Sequence, residues 1–459
     1  MALIRSIAGV RGTIGGKPGE GLTPVDVVAI TTAFGKWLQK SQSRPMTIVI
    51  GRDARLSGPI ISNIVAGTLQ SLGIDVIDLG LSTTPTVAIA IPIAHASGGI
   101  AITASHNPIE WNALKFFNHE GNFIDTITGQ VIFDLADQTN HTFSTIDELG
   151  SYTESAGYID KHIEKILALP LVATEAIRKK NFRILVDGIN STGGIAVPKL
   201  LRALGITTIK ECNCIPTGHF SHDPEPLPSH LTTLAKIVAN GAYDLGIAVD
   251  PDVDRLALLD ENGNAWGEEY TLVGVVDYVL QHQPGNVVGN LSSTSALKDI
   301  TLQHGGTYTS AAVGEVHVVA KMKEIEAVIG GEGNGGVIYP PLHYGRDALV
   351  GIALLLSHLA TSDKTAATLR ASYPNYITIK EKIPIKPKFS WEQLILHLAT
   401  YYNDYELNRE DGIKIIEGNQ WTHLRISNTE PVIRIYVEST TKEQAKQLVE
   451  KAMNLLNAT

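Results

Sequence analysis

Cysteine is almost absent from this chain. Cys212 and Cys214 are the only two in 459 residues, too close together to staple separate parts of a fold. Such usage fits a reducing compartment, and the cytoplasm is the expected location. Basic residues are also scarce: 37 Lys and Arg stand against 47 Asp and Glu, giving a formal net charge of -10 and a pI near 5.8. A nucleic-acid partner is therefore not expected. Long apolar runs are missing too, none approaching the roughly 20 residues of a membrane span. The N-terminal Met1-Ala2-Leu3-Ile4-Arg5-Ser6 lacks the basic-then-apolar layout of a signal peptide, so neither a membrane nor export is expected. With 44% hydrophobic and 18% charged residues, nothing in the composition points to disorder. An acidic protein that handles anionic substrates must concentrate arginines and backbone N–H groups locally, which makes individual arginines informative.

What is present is a loosely repeated unit: an apolar strand, a polar loop, a helix, and a glycine that stops the helix. One copy runs through Thr47 to Gly51, a helix near Ile60 to Leu72, Gly73, and a strand from Ile74 to Leu79. A second uses Arg183 to Asp187, a helix near Ile195 to Leu204, and Gly205; a third uses Asn286 to Asn290, a helix near Ala296 to Gln303, and Gly305. Glycine just past a helix supplies the left-handed residue of its C-terminus, and strand–helix–strand alternation implies right-handed crossovers around mainly parallel sheets. The last ~85 residues change order, with a helix near Trp391 to Tyr402, three strands (Gly412 to Glu417, Thr422 to Ser427, Val432 to Glu438) and a closing helix capped at Thr441. The expected architecture is three related α/β domains with mainly parallel mixed sheets, 1–157, 158–260 and 261–373, and a smaller α+β domain, 374–459.

Asp250-Pro251-Asp252-Val253-Asp254-Arg255 carries the strongest chemical signal. In an extended segment its three carboxylates share one face at intervals of roughly 6.6 Å, and a hard divalent ion relieves their repulsion. A shell of few carboxylates suits Mg²⁺ with a phosphate oxygen completing it. An EF-hand loop is rejected because Arg255 stands where the sharp glycine turn belongs; a solvated acidic turn is the plain alternative. Thr103-Ala104-Ser105-His106-Asn107-Pro108 follows the strand Gly99 to Ile102, so Ser105 sits at a strand's C-terminal end, where ligands of open α/β sheets gather. A lone serine there is usually a turn or cap residue, but beside an acid cluster that wants a phosphate it reads as a nucleophile. His106 and Lys115 are candidates for moving protons. Gly330-Gly331-Glu332-Gly333-Asn334-Gly335-Gly336, after the strand Ala327 to Ile329, is either a tight turn or a loop whose Glu332 and Asn334 bind hydroxyls. Arg425-Ile426-Ser427-Asn428-Thr429-Glu430-Pro431, with Arg434 beyond it, is either a capped hairpin turn or a phosphate grip. Cys212, Cys214, His219 and His222 offer four zinc-type ligands, though their spacing is unlike the usual fingers and Pro216, Pro224, Pro226 and Pro228 make the segment a stiff loop.

Taken in order, T-A-S-H-N-P, D-P-D-V-D-R, G-E-G-N-G and R-I-S-N-T-E-P resemble the α-D-phosphohexomutase family over essentially the whole chain, as do Gly9-Val10-Arg11-Gly12 and Gly51-Arg52-Asp53-Ala54-Arg55-Leu56-Ser57-Gly58. The resemblance implies four domains around a central cleft. It implies that Ser105 is the phosphoserine, that Asp250, Asp252 and Asp254 hold one Mg²⁺ against it, and that Arg11 and Arg255 steady the transferring group. His106 and Lys115 would handle protons, Glu332 and Asn334 would meet sugar hydroxyls, and Arg425, Ser427, Asn428, Thr429 and Arg434 would bind the non-reacting phosphate. Asn334 stands where many bacterial members have serine, and Val313-Gly314-Glu315 where the mannose and glucose enzymes have a Gly-His pair. The chain thus looks most like phosphoglucosamine mutases, interconverting glucosamine 6-phosphate and 1-phosphate through a bound hexose 1,6-bisphosphate, as a monomer or homodimer. A mannose or glucose phosphate mutase is the alternative within the family. Outside it, a Mg-dependent sugar-phosphate phosphatase is disfavoured by the intact phosphate turn, and a non-catalytic sensor by the intact Ser105 and aspartates.

Overall fold

A computed structural model describes residues 2–6, 9–41, 45–138, 140–385, 390–427 and 432–458. The chain divides into two compact units, Met1–Thr271 with Asn334–Leu369, and Leu272–Gly333 with Arg370–Thr459. Among the described residues no helix is long and apolar enough to cross a membrane.

The first unit holds a seven-stranded sheet in the order Leu3–Ser6, Gly9–Thr13, Trp111–Phe117, Gly98–Ile102, Thr47–Arg52, Asp75–Leu81, Tyr152–Glu154. Its centre is parallel, Thr47–Arg52 lying between Gly98–Ile102 and Asp75–Leu81, while Trp111–Phe117 turns back antiparallel. The central strands bury both faces, and Ile48, Val49, Ile50, Ile100 and Ile102 are all fully buried, which is why they read as unbroken apolar runs. A second sheet runs Leu256–Leu259, Leu245–Val249, Arg183–Asp187, Thr208–Cys212. Gly246 to Val249 pair antiparallel with Leu256 to Leu259, so the acidic run is the turn of a hairpin.

In the second unit Asn286–Asn290 lies parallel between Thr307–Ala311 and Ile329–Glu332. A five-stranded antiparallel sheet follows in the order Ile377–Pro384, Val432–Ser439, Gln420–Ile426, Ile413–Glu417, Glu406–Asn408. The helices Trp391–Tyr401 and Lys442–Ala458 contribute Leu394, Leu398, Ala445, Leu448 and Ala452 to its core.

Three local expectations are corrected. The strand after Ala327 starts at Ile329 and continues through Glu332, so Glu332 ends a strand and is not in a free loop. The C-terminal sheet has five strands where three were expected; Ile377–Pro384 was hidden by its four charged or prolyl residues, and Glu406–Asn408 by being three residues long. The acidic run is not extended, because Val253 N–H bonds back to the Asp250 carbonyl at 3.1 Å and Val253 takes φ +66°.

Candidate active site

Ser105 is presented by a loop that one arginine holds from beneath. The fully buried Arg55 guanidinium donates to the carbonyls of Ser105, Asn107 and Pro108 at 2.6 Å each and of Trp111 at 2.9 Å. Its Nε and its own backbone N–H bind the Asp53 carboxylate, which also accepts from Thr103 Oγ1 at 2.6 Å. Thr103 Oγ1 in turn accepts from Ser105 N–H at 2.9 Å. The loop thereby keeps Ser105 at φ +51°, a left-handed conformation that costs a non-glycine residue about 1 kcal/mol or more. From there Ser105 Oγ donates to Asp250 Oδ2 at 2.6 Å and lies 3.4 Å from His106 Nδ1.

The aspartate turn is fastened from several elements of the same unit. Asp250 Oδ1 accepts the backbone N–H groups of Asp254 and Arg255, and Ser191 and Thr192 donate their hydroxyls to the Pro251 carbonyl. Val253 O accepts from Ala348 N–H, and Leu256 N–H donates to Gly335 O. Gly335 must be glycine here: its φ is +86°, and a Cβ would stand 2.4 Å from the Leu256 carbonyl oxygen. Folding the run into a turn brings one oxygen from each aspartate within 4.8 Å of the others, all three residues being buried. Among the described residues this is the only such cluster; Cys212, Cys214, His219 and His222 do not form one, and His222 instead pairs with Asp187 at 3.0 Å.

Cations surround the carboxylates. Lys115 Nζ donates to Asp252 Oδ2 at 2.7 Å and reaches Asp254 Oδ2 at 3.4 Å, Arg346 donates to Asp254 Oδ2 at 2.7 Å, and Thr84 Oγ1 donates to Asp252 Oδ2 at 2.5 Å. Asp252 Oδ1 and Asp254 Oδ1 are nonetheless buried without a hydrogen bond. Burial, with Asp254 and Asp252 close by, pushes the Asp250 carboxyl well above the usual carboxylate range. Two orphaned carboxylate oxygens and a third carboxylate strained by its neighbours are what a hard divalent cation relieves. The residues fit such an ion. Burial opposes the charge on Lys115, but Asp252 and Asp254 outweigh it and hold its pKa above the ordinary lysine value. His106 moves the other way, kept neutral by burial and by Arg255 and Arg11. Arg255 donates to Glu225 Oε1 at 2.9 Å and approaches His106 Nε2 at 3.5 Å, and Arg11 donates to Asn107 Oδ1 at 3.3 Å.

The remaining candidates are divided. Asn334 lies in the first unit, its Oδ1 buried without a hydrogen bond. Glu332 lies in the second, 5% exposed, its Oε1 accepting from Asn290 Nδ2 at 3.0 Å and Gly314 N–H at 3.1 Å. Arg425 and Arg434 face each other across paired strands of that unit. Arg425 Nε donates to Asp411 Oδ2 at 2.8 Å, and Arg434 Nε to Ser427 Oγ at 3.1 Å. Asn428 and Thr429 lie outside the described residues.

Sequence reasoning missed Arg346, Thr84, Asp411 and the structural part played by Arg55. Only Arg55 had a local signal, standing two residues after Asp53 in G-R-D-A-R-L-S-G. The others meet their partners 92, 168 and 14 residues away.

Four family models match the chain in order: phosphoglucomutase/phosphomannomutase alpha/beta/alpha domain I over residues 4–142, domain II over 157–263, domain III over 267–376, and the C-terminal domain over 382–455. A phosphoglucomutase/phosphomannomutase of Thermococcus kodakarensis is 33% identical over 97% of this chain and 98% of its own. A phosphoglucosamine/phosphogalactosamine mutase of Sulfurisphaera tokodaii is 32% identical over 98% of each. The crystal structure of a phosphoglucomutase/phosphomannomutase family protein from Burkholderia thailandensis, 25% identical, superposes with a TM-score of 0.83 over 99% of this chain and 97% of that one. With the four domains in the family's order and near-complete coverage at a third identity, the chain belongs to the α-D-phosphohexomutase family and is an isomerase of that class.

Proposed function

We propose that this enzyme interconverts glucosamine 6-phosphate and glucosamine 1-phosphate through a phosphorylated Ser105 and a bound hexose 1,6-bisphosphate. The observation that carries the transfer is the 2.6 Å contact between Ser105 Oγ and Asp250, at the head of a buried aspartate cluster with two oxygens that make no hydrogen bond. Mg²⁺ bound by Asp250, Asp252 and Asp254 together with the phosphoserine would neutralise charge developing on the phosphoryl group.

The chain's own residues divide the remaining work. A sugar hydroxyl attacks phosphorus, the bond to Ser105 Oγ breaks, and the phosphoryl group passes to the sugar; in the second half the other phosphate returns to Ser105. Arg11 and Arg255 offset charge on the equatorial oxygens. Neutral His106 accepts the hydroxyl proton and returns it, while Lys115, held charged by two aspartates, keeps the serine's surroundings positive. Glu332 and Asn334 bind the sugar, and Arg425, Ser427, Asn428, Thr429 and Arg434 hold the idle phosphate.

Support for the amino sugar comes from Asn334, whose buried Oδ1 has no hydrogen bond of its own and suits a donor such as an ammonium or hydroxyl. A Sulfurisphaera relative named for glucosamine and galactosamine substrates points the same way. The second reading, a glucose or mannose phosphate mutase, is favoured by the Thermococcus relative of 33% identity that carries that name.

A mutase assay on the 1-phosphates of glucosamine, glucose and mannose, each with a trace of its bisphosphate, separates these. The glucosamine substrate is expected to give the highest kcat/KM, and Ser105→Ala to lose at least a thousandfold on all three. A faster glucose or mannose reaction would replace the substrate, and release of free phosphate in place of the 6-phosphate would sink the mutase mechanism.

A further inference from the structure

The phosphate arginine and the sugar-facing carboxylate of the second unit are joined by a residue that belongs to neither group. Asp411 Oδ2 accepts Arg425 Nε at 2.8 Å and, on the same oxygen, the backbone N–H of Val313 at 3.1 Å. The next residue along, Gly314, donates its N–H to Glu332 Oε1 at 3.1 Å, and Asn290 Nδ2 donates to that oxygen at 3.0 Å. A continuous path therefore runs from Arg425 through Asp411 and the 313–314 backbone to Glu332.

Asp411 is itself held firmly. Its carbonyl can only accept, so His423 Nε2 donates to it at 2.6 Å and His423 Nδ1 takes the hydroxyl of Ser292 at 3.0 Å. Gly412 has φ +79°, and a Cβ there would lie 2.2 Å from Leu424 O and 3.0 Å from Arg425 Cβ, so the turn presses against the strand that carries Arg425. The side chains of Arg425 and Asp411 are 7% and 21% exposed, enough burial for the pair to be strongly directional. Binding a guanidinium through Nε sets its plane and the direction of its two terminal nitrogens.

We infer that Asp411 is a positioning residue that couples the grip on the idle phosphate to the loop that orients Glu332 on the sugar. This rests on the assignment of Arg425 to phosphate and Glu332 to sugar proposed above. A phosphate on Arg425 and a carboxylate on Asp411 share one guanidinium, so occupancy of the first changes the hold of the second on Val313. The consequence is that phosphate and sugar recognition are not independent.

A double-mutant cycle tests it, measuring by calorimetry the binding of glucose 6-phosphate and of glucosamine 6-phosphate to the full-length enzyme, its Asp411→Asn and Glu332→Gln variants, and the double variant. Asp411→Asn is expected to weaken hexose 6-phosphate about tenfold. The double variant should lose no more than about threefold beyond the weaker single variant, and Asp411→Glu should recover part of the loss. Losses that multiply, or an Asp411→Asn affinity within twofold of the unaltered enzyme, overturn the coupling. Thermal unfolding of each variant should be unchanged; a lowered midpoint together with multiplying losses marks a merely structural residue and also overturns it. Each variant is compared on the same sugar, so failure of the glucosamine preference leaves the cycle on glucose 6-phosphate decisive.

Discussion

Arg55 shows how much of this centre depends on a side chain that touches no reacting atom. It is fully buried, offsets its charge on Asp53, and spends the rest of its donors on four loop carbonyls around Ser105. A buried cation is tolerated only when nearly every donor is satisfied, and here the satisfied groups are the ones that shape the serine loop. Lysine carries the same charge on three tetrahedral donors and cannot reproduce the planar fork. Arg55→Lys is expected to lower stability by about 3 kcal/mol in urea denaturation, and to slow phosphorylation of Ser105 by the bisphosphate well beyond what the stability loss explains. Unchanged phosphorylation kinetics would show that the loop holds its shape without the arginine. Ser105 and Asp250 were each legible from the sequence because their neighbours announce a strand end and an acid cluster. Their meeting across 145 residues was not, and neither was Arg346 on Asp254.

Among the strands, Gln420–Ile426 links the core of the second unit to its candidate binding residues, since Leu424 faces the core and Arg425 the opposite side. His423, just before them on the strand, is fully buried, and burial with Lys414 nearby pulls its pKa down to about 4. In the unfolded chain it titrates near 6.5. Because the folded value is the lower one, the unfolded state binds the proton first as pH falls. The stability that neutral His423 contributes is therefore complete above about pH 6.5 and is lost progressively between 6.5 and 4, by roughly 1.4 kcal/mol per pH unit. Guanidinium unfolding at pH 7 and pH 5 should show a drop that is smaller by 1 to 2 kcal/mol, roughly, in His423→Gln; equal drops would remove His423 as the cause. The strand itself was expected from Thr422 to Ser427, close to where it lies. The sheet's edge strands Ile377–Pro384 and Glu406–Asn408 were not, because edge strands carry charge and need little apolar length.

Across the whole molecule, the aspartate cluster is where folding and ligand binding are most directly linked. Three buried carboxylates, two with an oxygen that makes no hydrogen bond, are held together in the folded chain and are free to separate in the unfolded one. A cation that binds only the folded form stabilises it by mass action, about 2.7 kcal/mol at a hundredfold excess over its Kd. Mg²⁺ is accordingly expected to raise the denaturation midpoint relative to EDTA-treated protein, and EDTA to abolish transfer reversibly. Asp252→Asn should lose most of that increment. A midpoint indifferent to Mg²⁺ in the unaltered enzyme would mean the cluster does not bind it. The aspartate spacing already implied a cation, but not the turn that gathers the oxygens, which depends on Val253 at positive φ and on bonds from Ala348 and Ser191.

The repeated strand–helix units, the four-part layout and the candidate serine and acids follow from the chain alone, because each is written in neighbouring residues: periodicity, glycine stops, and short motifs at strand ends. Tertiary structure decided which charges meet. Lys115 on Asp252, Arg346 on Asp254, Arg55 beneath Ser105 and Asp411 between Arg425 and Val313 are contacts between distant positions. No local pattern encodes them, since a Coulomb contact or hydrogen bond depends only on where folding brings two side chains together.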